Sequence, residues 1–450
     1  MDWNRLLSHK RLGRVGGRDA GPARTEFQRD ADRIVFCSAF RRMQDKTQVF
    51  PLSQIDYVRT RLTHSLEASS VGRTLGTLVG ERVIARHGLA GLEASDFGAI
   101  VAAACLAHDI GNPPFGHSGE DSIRHWFTAY EAGRDLIASL EGSRREDFLR
   151  FEGNAQGFRI LTRLQNPDNQ GGLQLTCATL ATFAKYPRES AGCGEGRGGV
   201  AGEKFSFFQA DGDFFREVAE EVGLIPLGDG QAWCRHPLAY LVEAADDICY
   251  RVIDIEDGFR LGYLDWAEVR DLFDPVIDDP AVMRRLERIR GNKERVEYLR
   301  ARAISTAIGQ VADAFMANED RILTGHFNGE LLEHTPLARP MAHLLAVAKE
   351  RIYSVRDVVE IAAAGFRVLG GLLDAFVPAV CEVAARGTDA SPHARMLYQL
   401  VPRQFIGPDR HPHEDPYIRL LRMTDFVAGM TDSYAVGLYK KITGISLPGG

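Results

Sequence analysis

His108-Asp109 stands at the end of a long apolar helical run and is followed by Ile110-Gly111-Asn112-Pro113-Pro114-Phe115-Gly116-His117-Ser118-Gly119-Glu120. An adjacent imidazole and carboxylate can offer one nitrogen and one oxygen to the same point. Glycine and proline then force a tight turn, which returns a second histidine and a glutamate toward that point. His64 lies in a helical segment upstream, and Asp246 lies in an acidic helix downstream. A dispersed set of His64, His108, Asp109 and Asp246 can hold one divalent metal with coordination positions left open. Such a site points to a metal-dependent hydrolase. Glu120 follows His117 by three residues, so the two meet if a helix begins there. A carboxylate orients an imidazole and raises its basicity, which suits a general acid or base beside a metal.

The acidic helix is well punctuated: Pro237 suits its first turn and Gly258 the position past its end. Within it Asp246, Tyr250 and Asp254 are spaced i, i+4, i+8 and line one face. Asp246 sits among small and apolar residues, where a carboxylate is costly to bury unless it meets a cation.

The elements that must carry these groups read as helices. Glu26 to Met43 mixes charged and apolar residues at helical spacing, Arg61 to Ile84 is helical, and Asp96 to Ala107 is almost wholly apolar with Ser95 as N-cap. The small residues of that last run permit close helix packing. Amphipathic runs cover 284–318 and 340–390, and one long helix covers Pro416 to Lys441. Thr47 to Leu52 reads as a short extended segment. Residues 1–24, basic and glycine-rich, form an arm expected to lie over the surface. The glycine-rich stretch 186–202 is expected to be a mobile loop. Strand signals are few, so the fold class is all-α.

At 450 residues, 45% hydrophobic and 26% charged, the chain has ordinary globular composition. A net charge of −7 argues against a surface that coats nucleic acid broadly. The seven cysteines form no C-x-x-C pair and read as free thiols. No apolar run reads as a bilayer span and no signal peptide is recognisable, so a cytoplasmic location is expected. Phosphate-binding P-loops, a G-x-G-x-x-G after a strand and a G-x-S-x-G elbow are all missing. Phosphate would have to be held by metal, Arg and Lys.

These residues resemble the HD-domain phosphohydrolases and, more narrowly, the bacterial deoxyguanosinetriphosphate triphosphohydrolases. The likeness rests on ordered blocks: Arg24-Thr25 to Ile34, Phe40 to Val49, Arg61 to Ser65, His108 to Glu120, Glu243 to Tyr250, and Thr424 to Asp432. The resemblance implies that His64, His108, Asp109 and Asp246 hold one divalent ion per subunit, Mn²⁺ or Mg²⁺, with Fe²⁺, Ni²⁺ or Zn²⁺ also compatible. It implies that His117, backed by Glu120, handles the attacking water, that Arg61 meets the α-phosphate, and that Tyr250 and Asp254 meet the deoxyribose. The expected reaction is hydrolysis of dGTP, or another dNTP, to deoxynucleoside and tripolyphosphate. The resemblance further implies an HD-domain bundle over 25–265, with helices of 266–450 completing the pocket and a homo-oligomeric (hexameric) interface. Single-stranded DNA or a dNTP would be an allosteric effector. The chain departs from some related HD enzymes at Asn112, where they carry histidine. Two other readings stay open: an HD hydrolase of guanosine tetraphosphate or a cyclic dinucleotide, and a catalytically weak nucleotide or nucleic-acid sensor. The Tyr250/Asp254 face and the lack of a Gly-Tyr-Pro segment argue against the first.

Overall fold

The computed structural model describes residues 1–14, 24–48, 59–193, 204–228, 231–407 and 410–446. Among them the chain is helical throughout, and β pairing is confined to isolated bridges such as Thr47 with Thr60. Thr47 and Gln48 precede the rest of the expected extended segment, which lies outside the described residues.

Two long helices, Arg61–His87 and Ala94–Ala107, pack closely side by side. Small side chains allow this approach: a Cβ on Gly76 would lie 2.7 Å from the Phe97 carbonyl oxygen. The second helix begins at Ala94, not Asp96. Its cap is a reciprocal pair between Glu93 and Asp96, which leaves Ser95 inside the first turn. The acidic helix runs Ala239–Arg260, and Gly258 lies within it rather than beyond it. A Cβ there would meet the Ile352 side chain at 2.6 Å, so this glycine serves packing.

Other boundaries also shift for local reasons. The Glu26–Met43 run breaks at Cys37, which ends Glu26–Phe36 in an extended conformation and caps Ser38–Arg42 through its thiol. The last long run divides into Pro416–Ala428 and Asp432–Ile442, because Thr431 turns extended and caps the second helix. Within the described part of the N-terminal arm, residues 1–14, Trp3, Leu6, Leu7 and Leu12 are buried rather than laid over the surface. Trp3 Nε1 donates to Glu319 at 2.8 Å, and Arg11 pairs with buried Asp30 at 2.6 Å. Of the glycine-rich stretch, 194–202 lies outside the described residues, while Ser190 is buried and donates to Asp147 at 2.6 Å.

The apolar interior forms two clusters. One joins the Arg61, Ala94 and Ala239 helices to Asn292–Leu323. The other joins His117–Ala129 to Arg356–Arg386 and Pro416–Ala428, with Phe376 and Phe426 edge to face at 5.2 Å. Segment Arg356–Asp389 has the length and hydropathy of a membrane span, contrary to the sequence expectation, and 56% of its most apolar window is buried inside the protein. Its buried hydrophobic residues, Val368 to Val380, belong to the second cluster.

A buried charge network ties the middle of the chain to the Pro416–Ala428 helix. Arg159 Nε donates to both carboxylate oxygens of Asp425 at 2.9 Å, and its Nη1 donates to Asp211 at 3.1 Å. All three residues are buried. Removing one member leaves uncompensated charge in the interior. Arg159→Met is therefore expected to destabilise the fold by about 3–5 kcal/mol, read as a lower urea midpoint. A midpoint equal to wild type would show that the network contributes little.

Candidate metal centre and active site

Four segments bring the chemistry-bearing residues to one place. The Arg61 helix starts at a reciprocal cap between Thr60 and Thr63, so Arg61 and His64 both lie in its first turn. The Ala94 helix delivers His108 at its C-terminal end, and the next residue is Asp109. The Ala239 helix supplies Asp246. The turn 110–116 then leads into His117–Ala129.

Ligand atoms of His64, His108 and Asp109 all lie within 4.8 Å of one another, and all three residues are buried. Asp246 stands beside this trio: its Oδ1 lies 3.0 Å from His64 Nε2 and 3.4 Å from His108 Nε2. The two imidazole rings meet edge to face at 5.1 Å. His108 Nδ1 donates to the Cys105 carbonyl at 2.7 Å, which fixes the ring and turns Nε2 into the cluster. That Nε2 is buried with no hydrogen-bond partner. An orphaned imidazole nitrogen facing two carboxylates is an arrangement a divalent cation completes. Burial disfavours a charged His108, yet Asp109 and Asp246 outweigh it and raise its pKa. The pocket thus favours positive charge at this point, and the donor set fits a divalent ion.

The carboxylates are held in place from outside. Burial pushes Asp246 up, but Lys185 and the two imidazoles hold it well below its usual value. Lys185 Nζ donates to Asp246 Oδ2 at 2.7 Å, leaving Oδ1 toward the histidines. Asp109 is likewise held low, chiefly by Arg61 against its burial. Arg61 Nη1 donates to Asp109 Oδ2 at 2.6 Å, and Asn112 Nδ2 donates to Oδ1 at 2.5 Å. Asn112 therefore orients the Asp109 carboxylate. The Arg61 guanidinium passes under Gly116, where a Cβ would lie 2.7 Å from Nη2. Gly116 has φ +59°, so this residue must be both small and left-handed. Phe115 is left-handed as well, at φ 62°. Its N–H donates to Asp432 at 3.0 Å, and this contact holds the conformation.

His117 opens its helix, and its Nδ1 lies 3.0 Å from Glu120 Oε2. The ring is 81% exposed, whereas Glu120 is buried. The hydrogen bond and charge of Glu120 raise the His117 pKa. On the Ala239 helix Tyr250 is half-buried and its hydroxyl accepts from Arg251 at 3.3 Å. Asp254 is buried and accepts from the Tyr353 hydroxyl; burial lifts its pKa to about 7. In this structure a tyrosine hydroxyl occupies one of the Asp254 oxygens expected for the sugar.

Sequence reasoning missed Lys185, Tyr353, Lys46 and Asp432. Lys185 follows the apolar helix Cys177–Phe183 directly, and a cation in such a setting asks for a buried anion. Lys46 and Asp432 lie in blocks recognised by resemblance without a role. Lys46 donates to the Asn112 carbonyl at 2.5 Å, and burial lowers its pKa to about 7. Nothing in the local sequence marks Tyr353.

The HD domain family matches residues 61–159, the span carrying Arg61, His64, His108, Asp109, His117 and Glu120. The chain is 48% identical over 457 aligned residues to a deoxyguanosinetriphosphate triphosphohydrolase-like protein of Synechocystis sp., with 99% of this chain and 100% of that protein covered. It is 41% identical to a protein of the same description from Pseudomonas aeruginosa, with 100% of both chains covered. It is 31% identical to a deoxyguanosinetriphosphate triphosphohydrolase of Yersinia enterocolitica over 92% of this chain and 93% of that one. An HD match on the metal cluster, within an end-to-end likeness to these proteins, shows that the chain belongs to the deoxyguanosinetriphosphate triphosphohydrolase-like family of HD-domain proteins.

Proposed function

We propose that the protein hydrolyses dGTP, and related dNTPs, to the deoxynucleoside and inorganic tripolyphosphate. The observation that carries this reading is the buried His64, His108 and Asp109 cluster, bordered by Asp246 and followed by the His117–Glu120 pair, in a chain akin end to end to proteins named for this activity. A divalent ion bound there, Mn²⁺ or Mg²⁺, would polarise the α-phosphoryl oxygens and offset developing negative charge.

The chain's own residues do the rest. Arg61, anchored on Asp109, presents a guanidinium to the α-phosphate. His117, with its ring open to solvent and its Nδ1 on Glu120, holds or transfers the proton of the attacking water or the departing 5′-oxygen. Water oxygen joins the α-phosphorus, and the bond to the 5′-oxygen breaks. Tyr250 and Asp254 line the face along which the ribose projects. The HD unit of residues 25–265 and the helices of 266–450 act together, in a cytoplasmic homo-oligomer whose effector is a dNTP or single-stranded DNA.

The direct test incubates the metal-loaded protein with each dNTP, GTP and guanosine tetraphosphate, and identifies the phosphate species released. Tripolyphosphate from dNTPs supports the reading; turnover of guanosine tetraphosphate alone overturns it. Tyr250→Ala is expected to open space for a 2′-hydroxyl and to lower the dGTP/GTP ratio of kcat/KM. The loss of a hydroxyl-discriminating contact is worth about 1–3 kcal/mol, a readily measured change. An unchanged ratio would show that this face does not read the sugar.

A further inference from the structure

A second buried carboxylate lies behind the His117–Glu120 pair. Glu152 is 3% exposed, and its Oε1 accepts from Asn154 Nδ2 at 2.7 Å. The next residue, Gly153, donates its N–H to Glu120 Oε1 at 2.7 Å. Between the carboxylates stands one guanidinium. Arg124 Nη2 is 3.8 Å from Glu120 Oε2 and 3.6 Å from Glu152 Oε2. Arg124 is itself fixed by its Nε, which donates to the Phe151 carbonyl at 2.8 Å. The Glu120 oxygen that Arg124 approaches is the same one that faces His117 Nδ1. Arg124 and His117 therefore compete for one oxygen, and Glu152 competes with Glu120 for Arg124.

We infer that Glu152 is a positioning residue that sets the proton affinity of His117 through Arg124 and Glu120. The inference rests on the proton-handling role given to His117 above. An anionic Glu152 draws the guanidinium charge toward itself and leaves Glu120 Oε2 to the imidazolium. A neutral Glu152 releases Arg124 onto Glu120 and weakens that support. Burial first, and then the charge of Glu120, raise the Glu152 pKa to about 6, so the changeover falls within reach of neutral pH. Lys204 and the Cys193 thiol also face Glu152, Asp121 accepts from Arg124 Nη1 at 3.1 Å, and Lys204 and Arg61 face His117. Lys204 is a cation that favours the anionic form.

The test follows the His117 imidazole directly, by NMR titration of ¹³C-histidine-labelled, Mg²⁺-loaded protein, with the signal assigned by its loss in His117→Gln. This needs no substrate, so it stays informative even if the triphosphohydrolase reading fails. Glu152→Gln is expected to move the His117 titration to lower pH, and Glu152→Asp to keep it near wild type. Arg124→Gln is expected to move it the opposite way, to higher pH. In a Glu120→Gln background, Glu152→Gln is expected to add nothing. The pH limb of kcat that belongs to His117 is expected to shift with the titration while KM holds. A His117 titration that stays at the wild-type position in both Glu152→Gln and Arg124→Gln would overturn the inference. So would an equal shift from Glu152→Gln with and without Glu120. Arg124→Gln keeps the question decidable if Glu152→Gln does not fold.

Discussion

His108→Ala is expected to lose the divalent ion and the activity together while keeping its helical content. The imidazole sits where the Ala94 helix ends, so its removal breaks no turn in the helix interior. What it removes is a buried ring nitrogen without a hydrogen-bond partner that lies 3.7 Å from Asp109 and 3.4 Å from Asp246. Loss of a residue that merely orients a ligand already lowers metal affinity about 10–100-fold, so loss of a ligand should exceed that. Asp246→Ala is expected to give the same result, because Oδ1 borders both histidines. It also strands Lys185, which ion-pairs Asp246 at 2.7 Å, so this variant should be less stable than His108→Ala. Elemental analysis after dialysis, alongside circular dichroism, checks both. Wild-type metal content in either variant would remove these residues from the ligand set.

The second large effect is expected at His117. His117→Ala should retain the metal, since its ring is exposed and is not among the clustered ligand atoms. It should lose about 10²–10⁴-fold in kcat, the usual contribution of a positioned acid or base. The direction of the pH effect follows from Glu120. Its carboxylate raises the His117 pKa, so Glu120→Gln lowers it, and the corresponding limb of the kcat profile moves to lower pH. Steady-state rates across pH, with metal content measured in parallel, decide the matter. Wild-type turnover in His117→Ala would make the ring structural.

Much of the candidate metal cluster was legible because metal-ligating residue types leave local marks. A His-Asp pair ending an apolar helix, a Pro-Gly turn, and a carboxylate among alanines each break a pattern that packing alone would keep. The residues that hold these groups left weaker marks. Arg61 could be tied to phosphate by resemblance, but its 2.6 Å bond to Asp109 depends on Gly116 giving way, which only the fold shows. Tyr353 comes from a distant helix junction to reach Asp254, and no spacing rule links residues so far apart. The fold class followed from helical periodicity. The boundaries at Cys37, Glu93 and Thr431 did not, because side-chain caps fixed them. The first residues of the N-terminal arm were misjudged on composition: its basic residues hid Trp3 and Leu6, whose partners lie far along the chain.

Where the water attacks is the central claim, and isotopic oxygen reads it directly. The metal-loaded protein is given dGTP in H₂¹⁸O, and the products are resolved by mass spectrometry. The expected result is one ¹⁸O in tripolyphosphate and none in deoxyguanosine, since water joins the α-phosphorus and the 5′-oxygen leaves with the nucleoside. Label in deoxyguanosine, or release of pyrophosphate with dGMP or of orthophosphate with dGDP, would contradict the account.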